Sequence, residues 1–339
     1  MARDKTCLVT GATGAIGPGL IRALIERGYS VQAFVRSMPP PGLLPEQVTL
    51  VQGDMLDQRA VQRAVNGVDV VFHLAAKLHI NNPDSALEGE YQRVNVEGTR
   101  LLLKSAVGAG VRRFVYFSSI CVYGASQPKV VFGEEAVPAP QTIYARTKYE
   151  AEKLVLDSAP RQPPIGVVLR LAAVYGPSMK GNYPTLIRAL RKGRFWPLGK
   201  GTNRRTLVHE QDVVAAALLA AEKPQAAGHL YNVTDGQVHT FNNILAAISQ
   251  ALDRQPPQYH LPAAPVRLLA GMMEDAFHLV HCRSPIGRST VDKLLEDIAV
   301  SGDKIQQELG FRPLFDLEAG WRETVKHWVN GNNQSAFER

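Results

Sequence analysis

Three glycines, Gly11, Gly14 and Gly17, follow a short apolar run at residues 6–9 and lead into a helical period over residues 16–26 that stops at Gly28. With Thr10, Ala12, Thr13, Ala15 and Ile16 they make a turn joining a strand to a helix, and a second strand-like run follows at residues 30–35. Glycines so placed let the backbone turn sharply and approach a pyrophosphate, whose charge the helix N-terminus then stabilises. Pro18 stands at the start of the helix, where a missing N–H costs least. The opening of the chain is therefore a βαβ unit.

The alternation continues. Residues 48–52, 68–74, 113–117 and 165–171 have strand patterns, and residues 59–65, 94–107 and 143–157 have helical ones. This order predicts an α/β fold with a doubly wound parallel sheet covered on both faces. After Tyr175-Gly176-Pro177 the regularity fails, and helices at 212–222 and 241–252 are interspersed with loops rich in Pro and Gly. A smaller, mostly α-helical second lobe is expected there, with residues 230–233 returning to the main sheet. The chain has 339 residues, 45% hydrophobic and 20% charged, enough for a large core without metals or crosslinks, which excludes disorder and a disulfide-stapled framework. Cys7, Cys121 and Cys282 are scattered and odd in number, which points to a reducing, cytoplasmic location. The polar first six residues argue against a secretory leader, and the longest apolar run, 213–221, is too short to span a bilayer.

The net charge of +7 is concentrated. Between Asp157 and Glu210 there is no acidic residue, and those 52 positions carry ten cations, among them Arg170, Arg188, Lys200, Arg204 and Arg205. Such a field attracts an anion: a phosphorylated small molecule, nucleic acid or an acidic membrane surface. Nucleic-acid binding would need aromatic platforms among the cations, and the only pair there, Phe195 and Trp196, is expected in lobe packing. His278, His281 and Cys282 lack the second cluster that a metal site needs, so no metal is expected.

At the end of the second strand, where a carboxylate would accept the ribose hydroxyls of NAD, stands Arg36. An arginine pairs with a 2′-phosphate, which favours NADP, although an arginine lying over the adenine of NAD stays open. Tyr144 and Lys148 are four residues apart on one helical face, and a neighbouring cation lowers a phenol's pKa toward the working range of an acid/base catalyst. The spacing recurs at Tyr149 and Lys153, where Glu150 and Glu152 are expected to mark a solvent-facing side. The first pair is singled out by Ser119, which follows the fifth strand at the carboxyl edge of the sheet. From there its hydroxyl can donate to a substrate oxygen as negative charge develops.

Taken together, the glycine loop, Gly53-Asp54, His73-Leu74-Ala75-Ala76, Asn95-Val96-Glu97-Gly98-Thr99, Ser119 before Val122-Tyr123-Gly124, and Tyr144 with Lys148 resemble the extended short-chain dehydrogenase/reductase family of the epimerase/dehydratase type. The resemblance covers essentially the whole chain. It implies a Rossmann-type NAD(P)-binding domain at 1–175, rejoined near 208–236, and a substrate lobe at 176–207 and 237–339. It implies that Tyr144 is the proton donor or acceptor, that Lys148 holds the nicotinamide ribose and depresses the tyrosine pKa, and that Ser119 polarises the reacting C–O bond. Gly11, Thr13, Gly14, Ala15, Ile16 and Gly17 would hold the pyrophosphate and Arg36 the adenosine end. Asp54 and Met55 would contact adenine, Leu74, Ala75, Ala76 and Leu171 would line the cofactor, and Asn95 would support the central helix. A homodimer through the helices at 94–107 and 143–157 is implied in the same way.

For the substrate, Arg205 stands where sugar-nucleotide enzymes of this family place a pyrophosphate-binding arginine, inside the acid-free segment. Arg283 or Arg288 would supply a second contact. Ala173 departs from the family's Asn after the sixth strand. A nucleotide-diphosphate sugar epimerase or 4-ketoreductase is the first expectation. An NADPH-dependent reductase of an uncharged carbonyl, or a relative of the 3β-hydroxysteroid dehydrogenases, is the second, permitted by the apolar stretch at 266–280. A non-enzymatic redox sensor is the third, disfavoured because such proteins typically lose the Tyr/Lys pair retained here.

Overall fold

The computed structural model describes residues 5–78, 87–125, 130–157, 165–179, 181–279 and 287–330. His281, Cys282 and Arg283 lie outside the described residues. The chain opens with β1 (Thr6–Thr10), α1 (Gly17–Glu26) and β2 (Ser30–Val35), followed by β3 (Thr49–Gln52), α2 (Gln58–Val65) and β4 (Val70–His73). From Glu88 to Gly108 it is helical throughout: α3 (Glu88–Tyr91) runs through a π-helical stretch at Gln92–Glu97 into α4 (Gly98–Gly108). Then come β5 (Arg113–Ser119), α5 (Ile143–Asp157), β6 (Ile165–Leu171), β7 (Ala173–Tyr175), α6 (Asn182–Arg191), β8 (Arg204–Arg205), β9 (Leu207–His209), α7 (Glu210–Glu222) and β10 (Leu230–Val233). The chain closes with β11 (His239–Thr240), α8 (Phe241–Ala251), α9 (Ala263–Leu279), α10 (Arg288–Leu295), α11 (Asp303–Leu309) and α12 (Leu317–Asn330).

Seven strands form one parallel sheet in the order β10-β6-β5-β4-β1-β2-β3. Winding reverses between β1 and β4, so their connections part to opposite faces and leave a crevice at the carboxyl ends of the strands. Each strand of such a sheet is buried on both sides, which is why β4, Val70–His73, is apolar without alternation and fully buried. Leu20, Leu24, Val213 and Ala217, from α1 and α7, cover one face, while Val61, Leu102 and Val155, from α2, α4 and α5, cover the other. Residues 230–233 rejoin the sheet as its edge strand, beside β6.

A third apolar cluster lies beyond the sheet. Tyr175, Ile187, Leu207, Ile248 and Trp321 pack there, with Trp321 stacked on Tyr175 at 4.5 Å between ring centroids. Two short strand pairs, β7 with β9 and β8 with β11, accompany the helices of this half.

Three expectations are corrected here. Glu152 does not mark a wet face: it is 1% exposed and holds Arg170 of β6 by a 2.6 Å ion pair. Arg170 is therefore neutralised inside the sheet and adds nothing to a surface field. Trp196 is not lobe packing, since it is 57% exposed, although Phe195 does meet Phe241 edge-on. Burial of Glu152 and Arg170 together is tolerable because each satisfies the other; removing one partner would strand a charge.

Gly166 of β6 fixes how closely α5 approaches the sheet, because a Cβ there would lie 2.3 Å from the carbonyl oxygen of Val155. Gly166→Ala is expected to push α5 outward and cost about 1–3 kcal/mol of stability. The midpoint of urea unfolding checks this; an unchanged midpoint would refute the close packing of α5 on β6.

Candidate active site

The glycine turn leaves a cradle that side chains would fill. Gly11 has φ +70°, and a Cβ on it would stand 2.8 Å from the Ala75 nitrogen. A Cβ on Gly17 would stand 2.5 Å from the Ala12 oxygen. The Gly14 N–H donates to the Gly11 carbonyl at 2.9 Å and closes the turn. The N-terminus of α1 has no side-chain cap and no acidic residue in its first turn, so its backbone N–H groups and positive dipole end face the crevice. This donor set fits the pyrophosphate of a dinucleotide. Arg36 is exposed just past the end of β2, on the same carboxyl edge. Asp54 accepts from the Leu56 N–H at 2.8 Å, ordering the turn after β3.

A buried polar chain links this cradle to α5. The Ala75 N–H donates to Thr10 Oγ1 (3.1 Å), which lies 2.7 Å from His73 Nδ1, while His73 Nε2 lies 2.9 Å from Thr99 Oγ1. Thr99 Oγ1 in turn donates to the Asn95 carbonyl at 2.7 Å. Since the Thr99 hydroxyl gives its proton away, His73 must donate from Nε2 and accept at Nδ1, which fixes the neutral tautomer. Burial, with a smaller push from Lys148, lowers the His73 pKa to about 3, in keeping with a neutral ring. Asn95, in the π-helical stretch, accepts from the Lys77 N–H (2.7 Å) and donates to Thr147 Oγ1 (3.0 Å), which itself donates to the Tyr144 carbonyl (3.0 Å). Asn95 thus supports the central helix, and the loop after β4 is held to it.

Ser119 ends β5 and accepts from the Cys121 N–H at 3.2 Å, capping the turn that follows. With its oxygen anchored by a backbone donor, the hydroxyl proton is left to point elsewhere. The Cys121 thiol is reachable from solvent yet walled by protein. Its pKa is raised by that desolvation and by Glu296, and lowered by the Ser119 hydroxyl and Arg205. Tyr144 is half-buried, and its phenol is raised well above its ordinary value by desolvation, then by Cys121 and Tyr91. Ser119 is thus bound to Cys121, whose thiol is near enough to Tyr144 to bear on its ionisation. Lys148 is buried one turn further along, its ammonium 4.1 Å from the centroid of the Tyr116 ring. Burial lowers its pKa to about 7 against an opposing pull from Glu152. Burial thus pushes the Tyr144 phenol up and the Lys148 ammonium down, and the ammonium rests on the Tyr116 ring.

The two expected phosphate-binding arginines have protein partners. Arg205 lies close enough to Cys121 to influence its ionisation, and its guanidinium donates to the carbonyls of Lys293, Leu294 and Glu296 at the end of α10. Arg288 pairs with Asp275 at 2.7 Å and Glu274 at 3.3 Å, so it braces α10 against α9. Arg204 pairs with Asp297. Among the described residues no group of three or more His, Cys, Asp or Glu is placed to hold a metal.

Sequence reasoning missed the parts that act through others. His73 and Thr99 stand inside the motifs that carry the resemblance but without a role of their own, and Thr147 stands in no motif, because a buried hydrogen-bonding residue looks like any other polar residue in a string. Glu152 did leave a signal, four residues after Lys148 and hence on the same helical side.

Residues 7–234 match the NAD dependent epimerase/dehydratase family. The chain is 30% identical over 337 residues to the UDP-glucose 4-epimerase of Vibrio cholerae, covering 97% of each. It is 28% identical over 337 residues to a 3 beta-hydroxysteroid dehydrogenase/Delta 5-->4-isomerase of Mycobacterium tuberculosis, covering 95% of this chain and 90% of that one. Among solved structures it is similar to MoeE5 in complex with UDP-glucuronic acid and NAD, at 26% identity and a TM-score of 0.75, covering 96% of this chain and 99% of that one.

Lys148 provides a pH test. Its folded pKa of about 7 lies below the ordinary 10.5, so between those values the unfolded chain binds more protons and stability rises with pH. Relative to Lys148→Met, the melting temperature of the wild-type protein should therefore climb from about pH 7 to about pH 9. A difference that stays flat over that range would contradict the burial of the ammonium.

Proposed function

We propose that this chain, which belongs to the NAD dependent epimerase/dehydratase family and is an NAD-dependent oxidoreductase, acts at a carbinol or keto carbon of a nucleotide-diphosphate sugar, as a 4-epimerase or a 4-ketoreductase. The observation that carries this reading is the position of Arg205. Its charge is felt at the Cys121 thiol, two residues after Ser119, and it lies on the acid-free cationic segment. The UDP-sugar bound by MoeE5, and the activity of the Vibrio cholerae relative, support it.

The glycine turn with the N-terminus of α1 would hold the pyrophosphate of the coenzyme, Leu74, Ala75, Ala76 and Leu171 would line it, and Lys148 would hold the nicotinamide ribose. When bound, the nicotinamide takes up or gives back the hydride. Tyr144 then accepts or donates the proton of the substrate oxygen, and the Ser119 hydroxyl donates a hydrogen bond to that oxygen as charge builds on it. A neutral phenol in a desolvated site is a proton donor, which suits the reducing direction. Arg36 favours NADP over NAD, and this preference is part of the proposal, as is a homodimer through α4 and α5 in the cytoplasm.

A second reading has its own support. The Arg205 donors are already engaged by the end of α10, and Ala173 supplies no side-chain amide. Both facts favour an uncharged carbonyl substrate, in line with the Mycobacterium tuberculosis relative.

Incubation with UDP- and dTDP-hexoses and their 4-keto forms separates the cases. Turnover without added NAD(P)H marks an epimerase, and stoichiometric consumption, fastest with NADPH, marks a reductase. No binding of either nucleotide sugar rejects this reading for the uncharged carbonyl. Tyr144→Phe should lower turnover by about 10²–10⁴-fold while coenzyme affinity holds; near-wild-type turnover would remove Tyr144 from the mechanism.

A further inference from the structure

On α9, Pro265, Leu268, Leu269, Met272 and Ala276 are all exposed, with Leu268 66%, Leu269 64% and Met272 60% exposed. At 100° per residue these positions fall within one arc of about 100°. Arg267 and Glu274 lie opposite this arc and Asp275 at its edge, and all three make ion pairs with α10: Arg267 with Asp292, and Glu274 and Asp275 with Arg288. The inner side of the helix is apolar too, with Ala270 and Gly271 buried and Val266, Met273 and Phe277 half-buried, so α9 carries apolar side chains both toward the protein and toward solvent.

Trp196 and Tyr259 are two exposed aromatic residues that each precede a bridged leucine by two positions: a parallel bridge joins Leu198 to Leu261, with the Leu261 N–H donating to the Pro197 carbonyl at 2.8 Å. The two aromatic residues are 57% and 79% exposed, and Leu261 is 42% exposed. Lys192, Arg194 and Lys200 flank Trp196, all three exposed and in no ion pair among the described residues. The neighbouring carboxylates Asp275, Asp292 and Asp297 are neutralised by Arg288, Arg267 and Arg204.

We propose that the outward face of α9, with Trp196 and Tyr259, docks this protein on an anionic phospholipid surface. The helix lies in the plane of the interface with Leu268, Leu269 and Met272 turned into the acyl boundary. Trp196 and Tyr259 sit at headgroup depth, where an aromatic body with a polar edge is most stable. Lys192, Arg194 and Lys200 meet the lipid phosphates. The exposed cations beside the apolar stripe are what favour an anionic lipid surface as its occupant. Among the described residues no helix is long and apolar enough to cross a membrane, so the association is peripheral.

Sedimentation of the full chain with vesicles tests this. Vesicles of phosphatidylcholine with about 30% phosphatidylglycerol should carry the protein down at low salt, and pure phosphatidylcholine should carry far less. Replacing Lys192, Arg194 and Lys200 by Gln should weaken partitioning about a hundredfold, each charge near the surface contributing about fivefold. Leu268→Glu with Met272→Glu should abolish it. Brominated lipid should quench part of the tryptophan emission of the unmodified protein, and Trp196→Phe should remove that part. Failure of the unmodified chain to bind anionic vesicles, or binding that neither set of substitutions reduces, would overturn the proposal. So would a dimer in solution that the Leu268/Met272 variant dissolves.

Discussion

One unbroken run of buried hydrogen bonds holds the two halves of the site together. It passes from the Ala75 amide through Thr10, His73, Thr99 and Asn95 to Thr147 and the carbonyl of Tyr144. Each member has one geometry in which its neighbours are satisfied, and a buried donor or acceptor left alone costs about 1–3 kcal/mol. The strand that leads into the glycine turn is therefore tied to the helix that carries Tyr144 and Lys148. The π-helical stretch is part of the same device, because its wider turn places Asn95 where it meets both the loop after β4 and α5.

Around that frame, charge is handled by burial more than by pairing. Lys148, Tyr144 and Cys121 are each shifted toward their neutral forms by desolvation. The charges that remain deep in the fold, Glu152 and Arg170, neutralise each other beneath Lys148. In such a site a developing negative charge on a substrate oxygen finds few competing ions. An oriented hydroxyl such as that of Ser119 then counts for more than it would in water.

Much of this was legible in the sequence, for definite reasons. The glycine turn was readable because a strand before and a helix after are imposed by the same short string, and the core strands because burial on both faces leaves continuous apolar runs. Ser119 and Tyr144 were readable because each is placed by an element whose end the pattern marks. The remainder depended on distant partners. Glu152 looked solvated because Arg170, which makes its burial tolerable, arrives from another strand. Trp196 looked packed because nothing in its own segment shows that α9 turns apolar side chains outward. β8 and β11, of two residues each, are too short to carry a period. Arg205 looked available because the carbonyls that engage it belong to α10.

In the proposed function the glycine cradle, Ser119 and Tyr144 serve one hydride exchange, with the protein placing the substrate carbon beside the coenzyme ring. Turnover of a 4-keto substrate with nicotinamide coenzyme deuterated at ring carbon 4, followed by mass analysis of the product, tests it most directly. The account predicts that deuterium from one face of the ring is carried to the new carbinol carbon and resists exchange with water. A product whose new C–H bond carries only solvent hydrogen would contradict it.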